Sequence, residues 1–366
     1  MNKLKFVKIG DVFKVASGGT PSREKSEYYV GGNIPWVKTG DLKGKYANYP
    51  EEHITVEALN NSSAKIFPKN TVLLAMYGAT IGACSILPFE AATNQACSAL
   101  LPTDNYDANF LFYYLKYIKN DLIKRGVGGA QPNISGGIIK DTLIPSITLE
   151  VQQKIANILD AADALRQNNK ALVAKYDELT QALFLDMFGD PVSNPKGWSV
   201  FNFEDCLEIR NGKNQKKVEN KNGAYPIYGS GGIMGFADDY ISEANSVIIG
   251  RKGNINKPIL VREKYWHVDT AFGLNPNFEL LNYYYLYFFC LRYDFEQHNK
   301  TVTIPSLTKA TLLKIQVPLP PIDLQNQFAE RVTLIEEQKT IAQQELEKSE
   351  ELFNSLLQKA FKEELV

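Results

Sequence analysis

Thr148–Phe188 reads TLEVQQKIANILDAADALRQNNKALVAKYDELTQALFLDMF. Apolar side chains fall at Val151, Ile155, Ile158, Ala162, Leu165, Leu172, Tyr176, Leu179 and Leu183. Their spacing alternates four and three, and Asn169 interrupts it. An α-helix places such positions on one narrow stripe, the seam of a coiled coil. Neither Gly nor Pro occurs between Pro145 and Gly189, so nothing breaks the helix. At ~1.5 Å per residue the rod is on the order of 55 Å long, too long for an ordinary core helix. It needs a partner.

The same chain supplies one. Asp323–Phe361 carries a seam at Leu324, Phe328, Val332, Ile335, Ala342, Leu346, Phe353, Leu356 and Ala360, with Lys339 and Ser349 as polar gaps. The two helices and their lead-ins match at a constant offset: Pro145 with Pro318, Gln152 with Gln325, Phe188 with Phe361. Shared periodicity does not produce shared prolines and glutamines. A long internal repeat does.

The repeat extends into the segments before each helix. FEDCLEIRNGK matches IGDVFKVASGG, with Asp205 on Asp11 and Gly212 on Gly18. AYPIYGSGG matches NIPWVKTGD, with Pro226 on Pro35. NSVIIGRKGNI matches NTVLLAMYGAT, with Asn245 on Asn70 and Gly253 on Gly78. Ala271 falls on Ala96 and Pro305 on Pro132. In the first block Ile34, Trp36 and Val37 predict a short strand, Thr71–Gly82 a strand into a glycine turn, and Ala91–Pro102 another strand. Asn109–Gly126 predicts an aromatic-rich helix, and Ile138–Ile147 a strand leading to the rod. The aromatic runs Phe110–Tyr117 and Tyr283–Phe289 have helical spacing and are expected in the core.

The expected architecture is α+β. Two globular α/β domains, residues 1–147 and 191–320, are joined by a central helical spacer at 148–190 and a C-terminal one at 321–366. The second rod buries its seam best by running back antiparallel along the first. The two head–rod units are then related by a pseudo-two-fold axis, as in proteins that address two DNA half-sites. If the rods hold the heads apart, their length fixes the gap between half-sites.

Composition bounds the function. Apolar content of 44% and aromatic content of 11% mean a folded chain with sizeable cores. No apolar run reaches the ~18 residues of a membrane span, and MNKLKFVKIG has no signal-peptide pattern, so a cytoplasmic protein is expected. Cys84, Cys97, Cys206 and Cys290 are scattered and read as reduced thiols. His53, His267 and His298 are isolated, so no metal site is expected. The net charge of −1 hides a division. The globular segments carry +4 and +3, the helical ones −3 and −5. Basic heads on acidic rods suit a polyanion.

These motifs carry a resemblance. IPSITLEVQQKIANIL and PLPPIDLQNQFAERV, SGGTPS and IPWVKTGDL in the first head, and YPIYGSGG in the second make the chain resemble the specificity subunits of type I DNA restriction–modification systems. The resemblance covers essentially the whole chain. It implies two target-recognition domains reading a bipartite, asymmetric double-stranded DNA sequence. It also implies two adenine-methylating modification subunits and two ATP-dependent restriction subunits as partners. S-adenosylmethionine, ATP and Mg²⁺ are expected on those partners and none in this chain. The second head departs from the pattern, with NGKNQKK in place of SGGTPS.

The residues agree with a non-catalytic role. No glycine-rich cofactor loop is complete, because Met234 and Gln131 occupy the last position of the two G-x-G-x-x-G candidates. Glu219-Asn220-Lys221 lies in a polar run that reads as a solvated loop, not a nuclease site. The DNA-contacting candidates are polar and basic residues of the matching turns. In the first head they are Thr20, Ser22, Lys38, Thr39, Tyr77, Thr80, Gln131 and Asn133. In the second they are Lys213, Asn214, Lys216, Tyr228, Ser230, Arg251, Lys252, Asn254 and Thr303. Arg and Lys can reach guanine, and Asn and Gln adenine, whereas Lys216–Lys217 suits phosphate. The rival classes are a stand-alone DNA methyltransferase or nuclease, and a coiled-coil scaffold that binds only protein.

Overall fold

A computed structural model of the chain describes residues 5–128, 132–298 and 306–362. Two helices of 40 residues each, Leu149–Phe188 and Ile322–Phe361, dominate it. The chain divides into two compact units: residues 1–169 with 345–366, and residues 170–344. Each long helix therefore gives one half to each unit.

Within unit one, Asn169 Nδ2 donates to the Glu345 carbonyl at 3.1 Å and to Ser349 Oγ at 3.3 Å, and the Arg166 guanidinium lies over the Phe353 ring at 4.6 Å. Numbers rise on one helix as they fall on the other, so the halves run antiparallel. Unit two has the same sense: Asp177 pairs with Lys339 at 2.5 Å, and Phe184 and Phe188 pack on Phe328. The polar gaps at Asn169, Ser349 and Lys339 are thus bonded to the opposite helix. Such polar pairs favour one register over its neighbours.

On Ile322–Phe361 the seam lies where it is expected, with Ala342 and Ala360 also buried, whereas on Leu149–Phe188 it lies one residue round from the expected stripe. Ile155, Phe328, Val332 and Phe353 are buried, and Val151, Leu183, Ile335, Leu346 and Leu356 are half-buried. Ile158, Leu165, Leu172 and Leu179, expected inside, are 41–49% exposed. The inward positions of Leu149–Phe188 are Ile155 and Ala162, as expected, and otherwise Gln152, Ala156, Leu159, Thr180, Phe184 and Met187. Two causes displace the stripe. Polar residues sit inward and carry no apolar signal. Each helix half also packs on an aromatic helix of its own unit as well as on the other rod.

That aromatic helix is the centre of each core. Ala108–Tyr117 buries Phe110 through Leu115 against Ile155, Leu159, Phe353 and Phe361. Tyr283–Arg292 buries Tyr284, Tyr285, Leu286, Phe288 and Phe289 against Phe184, Phe188 and Phe328. Asp107 and Asn282 cap these helices, each accepting a backbone N–H two residues on.

The repeated glutamines have a structural cause. In unit one, Gln152 Nε2 donates to the Asn105 carbonyl (3.0 Å) and the Ile147 carbonyl (2.9 Å), and its Oε1 accepts Asp107 N–H (2.9 Å). In unit two, Gln325 Nε2 donates to the Leu280 (3.0 Å) and Pro320 (2.8 Å) carbonyls and its Oε1 accepts Asn282 N–H (2.8 Å). Both side chains are fully buried. Each ties the start of a long helix to the start of an aromatic helix and satisfies three backbone groups from a buried side chain.

Each unit has a four-stranded antiparallel sheet of the same order. In unit one it runs Val15–Ser17, Cys97–Leu100, Val72–Ala75, Cys84–Ile86; in unit two Leu207–Asn211, Ala271–Pro276, Ser246–Gly250, Ile259–Val261. A parallel pair accompanies it: Ile34–Val37 beside Ala91–Thr93, and Tyr225–Gly229 beside Trp266–His267. Ala91–Pro102 is therefore two strands in different sheets, broken at Asn94–Gln95. Ile138–Ile147 is not one strand. Ser135 first caps a short helix at Gly136–Lys140, and Leu143–Pro145 then pairs with Phe6–Lys8. Gln316–Leu319 repeats that ladder on Ser199–Asn202.

Candidate nucleic-acid interface

The turns that carry the expected contact residues are gathered by backbone hydrogen bonds into one cluster in each unit. In unit one, Gly19 N–H donates to Thr93 O (2.9 Å), Asn94 N–H to Val37 O (3.0 Å), Cys97 N–H to Asn94 O (3.2 Å), Met76 N–H to Ala96 O (2.8 Å) and Ile134 N–H to Met76 O (2.8 Å). Unit two repeats all five. Lys213 N–H donates to His267 O (3.0 Å), Val268 N–H to Tyr228 O (2.9 Å), Ala271 N–H to Val268 O (3.0 Å), Arg251 N–H to Thr270 O (2.7 Å) and Leu307 N–H to Arg251 O (2.9 Å).

Particular residue types make this packing possible. A Cβ on Gly18 would collide with the Thr93 carbonyl and one on Gly212 with the Val268 carbonyl, so the first arm of each cluster lies directly on backbone. Gly78 and Gly253 turn the chain with φ of 82° and 76°, a region that side chains disfavour. A tryptophan secures the arm in both units, from strands that are not equivalent. Trp36 Nε1 donates to Gly19 O at 3.1 Å, and Trp266 Nε1 to Lys213 O at 2.9 Å.

The clusters share a frame and differ in chemistry. In unit one Thr20, Lys38, Thr39, Tyr77, Thr80 and Asn133 stand on these turns, and Ser22 follows on the exposed arm. Thr20 Oγ1 donates to Gln95 Oε1. Lys38 and Arg23 share the Glu52 carboxylate, Arg23 at 2.7 Å. The hydrogen bond from Lys38 leads in holding that carboxyl below its usual pKa, with Arg23 adding to it against partial burial. Arg23 also lies over the Tyr29 ring at 4.6 Å and the Trp36 ring at 4.9 Å. The cluster of unit one thus presents hydroxyls and amides, and its one lysine is paired.

In unit two Lys213, Asn214, Lys216, Ser230, Arg251, Lys252 and Asn254 stand on or beside the turns. None of the four lysine and arginine side chains among them, nor Lys217, is in an ion pair among the described residues. Asn214 Oδ1 accepts the Lys216 N–H at 3.0 Å and shapes that loop. The Arg251 guanidinium is 5.7 Å from the Phe272 ring centroid. Tyr228 stands apart from the others in being largely buried. It is 8% exposed and packs edge-on against Tyr265, because its strand lies between two others. His267 is fully buried beside it. Burial pulls its pKa down to about 4, partly opposed by its 3.1 Å contact with the Arg210 carbonyl. It is a neutral structural group at neutral pH. Gln131 and Thr303 lie outside the described residues.

Arg23, Asn94 and Gln95 join the cluster of unit one without having been expected. The signal was available in AATNQACSAL, where a polar Asn-Gln pair interrupts an apolar run as a turn does. Asn94 Oδ1 is buried without a partner.

The family model described as "Type I restriction modification DNA specificity domain" matches residues 1–175 and 195–351. The chain belongs to this family. The two matched stretches each begin with a head and run into a long helix, so the specificity-domain match recovers the duplication. The specificity subunit of the type I restriction enzyme MjaIX of Methanocaldococcus jannaschii is 33% identical over 242 residues, 60% of this chain and 56% of that protein. The EcoprrI specificity subunit of Escherichia coli is 24% identical over 273 residues, 69% of this chain and 67% of that protein. The chain thus spans little more than half the length of the first and about two thirds of the second. Among solved structures, the type I restriction–modification S subunit from M. genitalium aligns with a TM-score of 0.63 at 18% identity, over 99% of this chain and 97% of that one. A chain from a structural study of complex assembly and conformational transition of the type I system aligns with a TM-score of 0.64 at 17% identity, over the whole of both chains. At these identities the likeness is one of fold.

Proposed function

We propose that this chain is the non-catalytic, sequence-specific DNA-recognition subunit of a type I restriction–modification complex. Each unit reads one half-site of a bipartite, asymmetric target in double-stranded DNA. The observation that carries this reading is the pair of turn clusters, whose five backbone hydrogen bonds repeat while their side chains do not. A frame held by main chain leaves the outward side chains free to differ, as two unlike half-sites require. Hydroxyls and amides in unit one and unpaired cations in unit two suit base edges and phosphates respectively.

Two modification and two restriction subunits are the proposed partners, and the chain acts as their scaffold in the cytoplasm. The exposed Ile158 and Leu165 of unit one and Leu172 and Leu179 of unit two support protein docking on the long helix. Methyl transfer with S-adenosylmethionine and ATP- and Mg²⁺-dependent cleavage belong to those partners. No described helix is long and apolar enough to cross a membrane.

The test is DNA binding by the purified chain across a salt series, followed by mapping of methylated adenines in a cell carrying the complete system. Binding that weakens steeply with salt and a two-part methylated motif are expected. No DNA binding would favour a protein-only scaffold. Methylation by the isolated chain with labelled S-adenosylmethionine would favour a stand-alone enzyme.

A further inference from the structure

Beside the turn cluster of unit one lies a half-open pocket of about 260 Å³. Its charged lining is Lys43, Lys45, Lys116, Lys119, Arg166 and Asp163. Two of these cations are neutralised. Lys45 pairs with Asp160 at 2.5 Å, and Arg166 pairs with Asp163. Lys43, Lys116 and Lys119 make no ion pair among the described residues, so the pocket keeps an excess of three positive charges. Lys116 is held over the Phe353 ring at 4.9 Å and the Phe112 ring at 5.8 Å. Burial pulls its pKa down, a cost that an anion in the pocket would offset.

The pocket continues the turn cluster. Lys43 follows the Thr39–Asp41 turn by two residues. Gly82 closes the turn that bears Tyr77 and Thr80, and its backbone lies against the Lys119 stem, so that a Cβ there would approach Lys119 Cγ to 2.9 Å. Its volume is below the roughly 300–1,000 Å³ of sites that enclose drug-sized ligands, which suits a single phosphodiester. The matching positions of unit two do not repeat its lysines. At the offset relating Gly78 to Gly253, Lys116 and Lys119 become Leu291 and Asp294. At the offset of the long helices, Arg166 becomes Lys339, which pairs with Asp177. The turns of unit two carry four cations with no ion pair among the described residues, whereas in unit one the lysine of the turns is paired and three unpaired lysines line this pocket.

We propose that the pocket grips a backbone phosphate of the DNA strand that runs over the turn cluster of unit one, through the ammonium groups of Lys116 and Lys119 with Lys43 at the mouth. This rests on the DNA-binding reading above. The contact positions the duplex without reading sequence, and it makes the two units grip DNA from different places.

The test uses the full chain, a duplex labelled for fluorescence anisotropy, and a salt titration. Each phosphate contact contributes about 0.9 to the slope of log K against log salt. Lys116→Gln with Lys119→Gln is expected to lower that slope by about 1 and weaken binding about tenfold, equally for all duplex sequences. Lys116→Arg with Lys119→Arg is expected to keep the slope. Lys43→Gln with Lys119→Gln, both exposed, guards against misfolding and is expected to lower it likewise. An unchanged slope in folded glutamine variants of a wild type that binds DNA overturns the phosphate contact alone. A wild type that does not bind DNA overturns the DNA reading with it. Saturable thermal stabilisation by inorganic pyrophosphate, lost in the glutamine variants while their DNA slope is unchanged, would assign the pocket to a small free anion instead.

Discussion

Replacing Gln152 with Met tests whether a buried amide joins the heads to the long helices. Methionine matches glutamine in length and helix propensity, so the backbone is not penalised. The substitution removes three hydrogen bonds and strands the Asp107 N–H and the Asn105 and Ile147 carbonyls. At about 1 kcal/mol net per bond, with a further 1–3 kcal/mol if one stranded group stays dry, the loss is about 3–6 kcal/mol. A whole domain has only about 5–15 kcal/mol, so the effect is large. Gln325→Met should cost about the same in unit two, since its three bonds are of the same kind. Gln153→Met, one residue on and exposed, should change stability by less than about 0.5 kcal/mol.

Hydrogen exchange resolved by peptide, together with urea unfolding, reads the outcome. Gln152→Met should deprotect the start of the Ala108–Tyr117 helix and leave Tyr283–Arg292 protected; Gln325→Met should do the reverse. A cost under about 1 kcal/mol for both, or loss of protection in both units from either change, would refute the account of the repeated glutamines.

Three further outcomes follow from the same geometry. Exchanging residues 196–317 for the matching part of a relative should alter one half of the methylated motif; a change in both halves would sink independent reading. Gly18→Ala puts a methyl group against the Thr93 carbonyl and should disrupt the turn cluster and DNA binding, whereas Gly40→Ala, with nothing within 4 Å, should do neither in the same anisotropy assay. His267, depressed to about 4 when folded against about 6.5 unfolded, stays neutral in the fold while the unfolded chain takes up a proton. Stability should therefore fall as pH drops from about 6.5 to about 4, by on the order of 3 kcal/mol. His267→Gln should flatten that part of an acid-unfolding curve, and an unchanged curve would remove His267 as its cause.

Much of the fold was legible because it is periodic and because it is repeated. The rods show in heptad spacing, and Pro145 with Pro318 and Gln152 with Gln325 show the duplication by letter. The inward face of the rods was less legible. Gln152, Arg166, Asn169 and Thr180 face inward or half inward, and an apolar count passes over them while it selects the exposed Leu165, Leu172 and Leu179. Turns were legible where Gly or Asn marks them, as at Gly78 and Gly253. The burial of Tyr228 against Tyr265 was not legible, because a tyrosine near the end of a strand reads the same whether it faces solvent or the protein. The basic pocket was not legible at all. It is assembled from residues near 43, 82, 116 and 166, which lie far apart in the sequence and meet only in the fold.

The division between frame and surface explains what the two copies keep. Residues that match across the repeat are mostly those whose backbone needs them. Asn70 and Asn245 adopt positive φ before a strand, as Gly78 and Gly253 do after one. Gly18 and Gly212 let one backbone lie on another, and the buried Gln152 and Gln325 satisfy backbone groups at the helix starts. None of these side chains reads DNA in the proposed function. The positions that would read it, such as Thr39 and Ser230 or Tyr77 and Lys252, point from turns already fixed by main-chain bonds, so exchanging them costs the fold little. Stability and specificity therefore rest on different atoms. Two copies of one frame can come to read unlike sequences without either losing its packing.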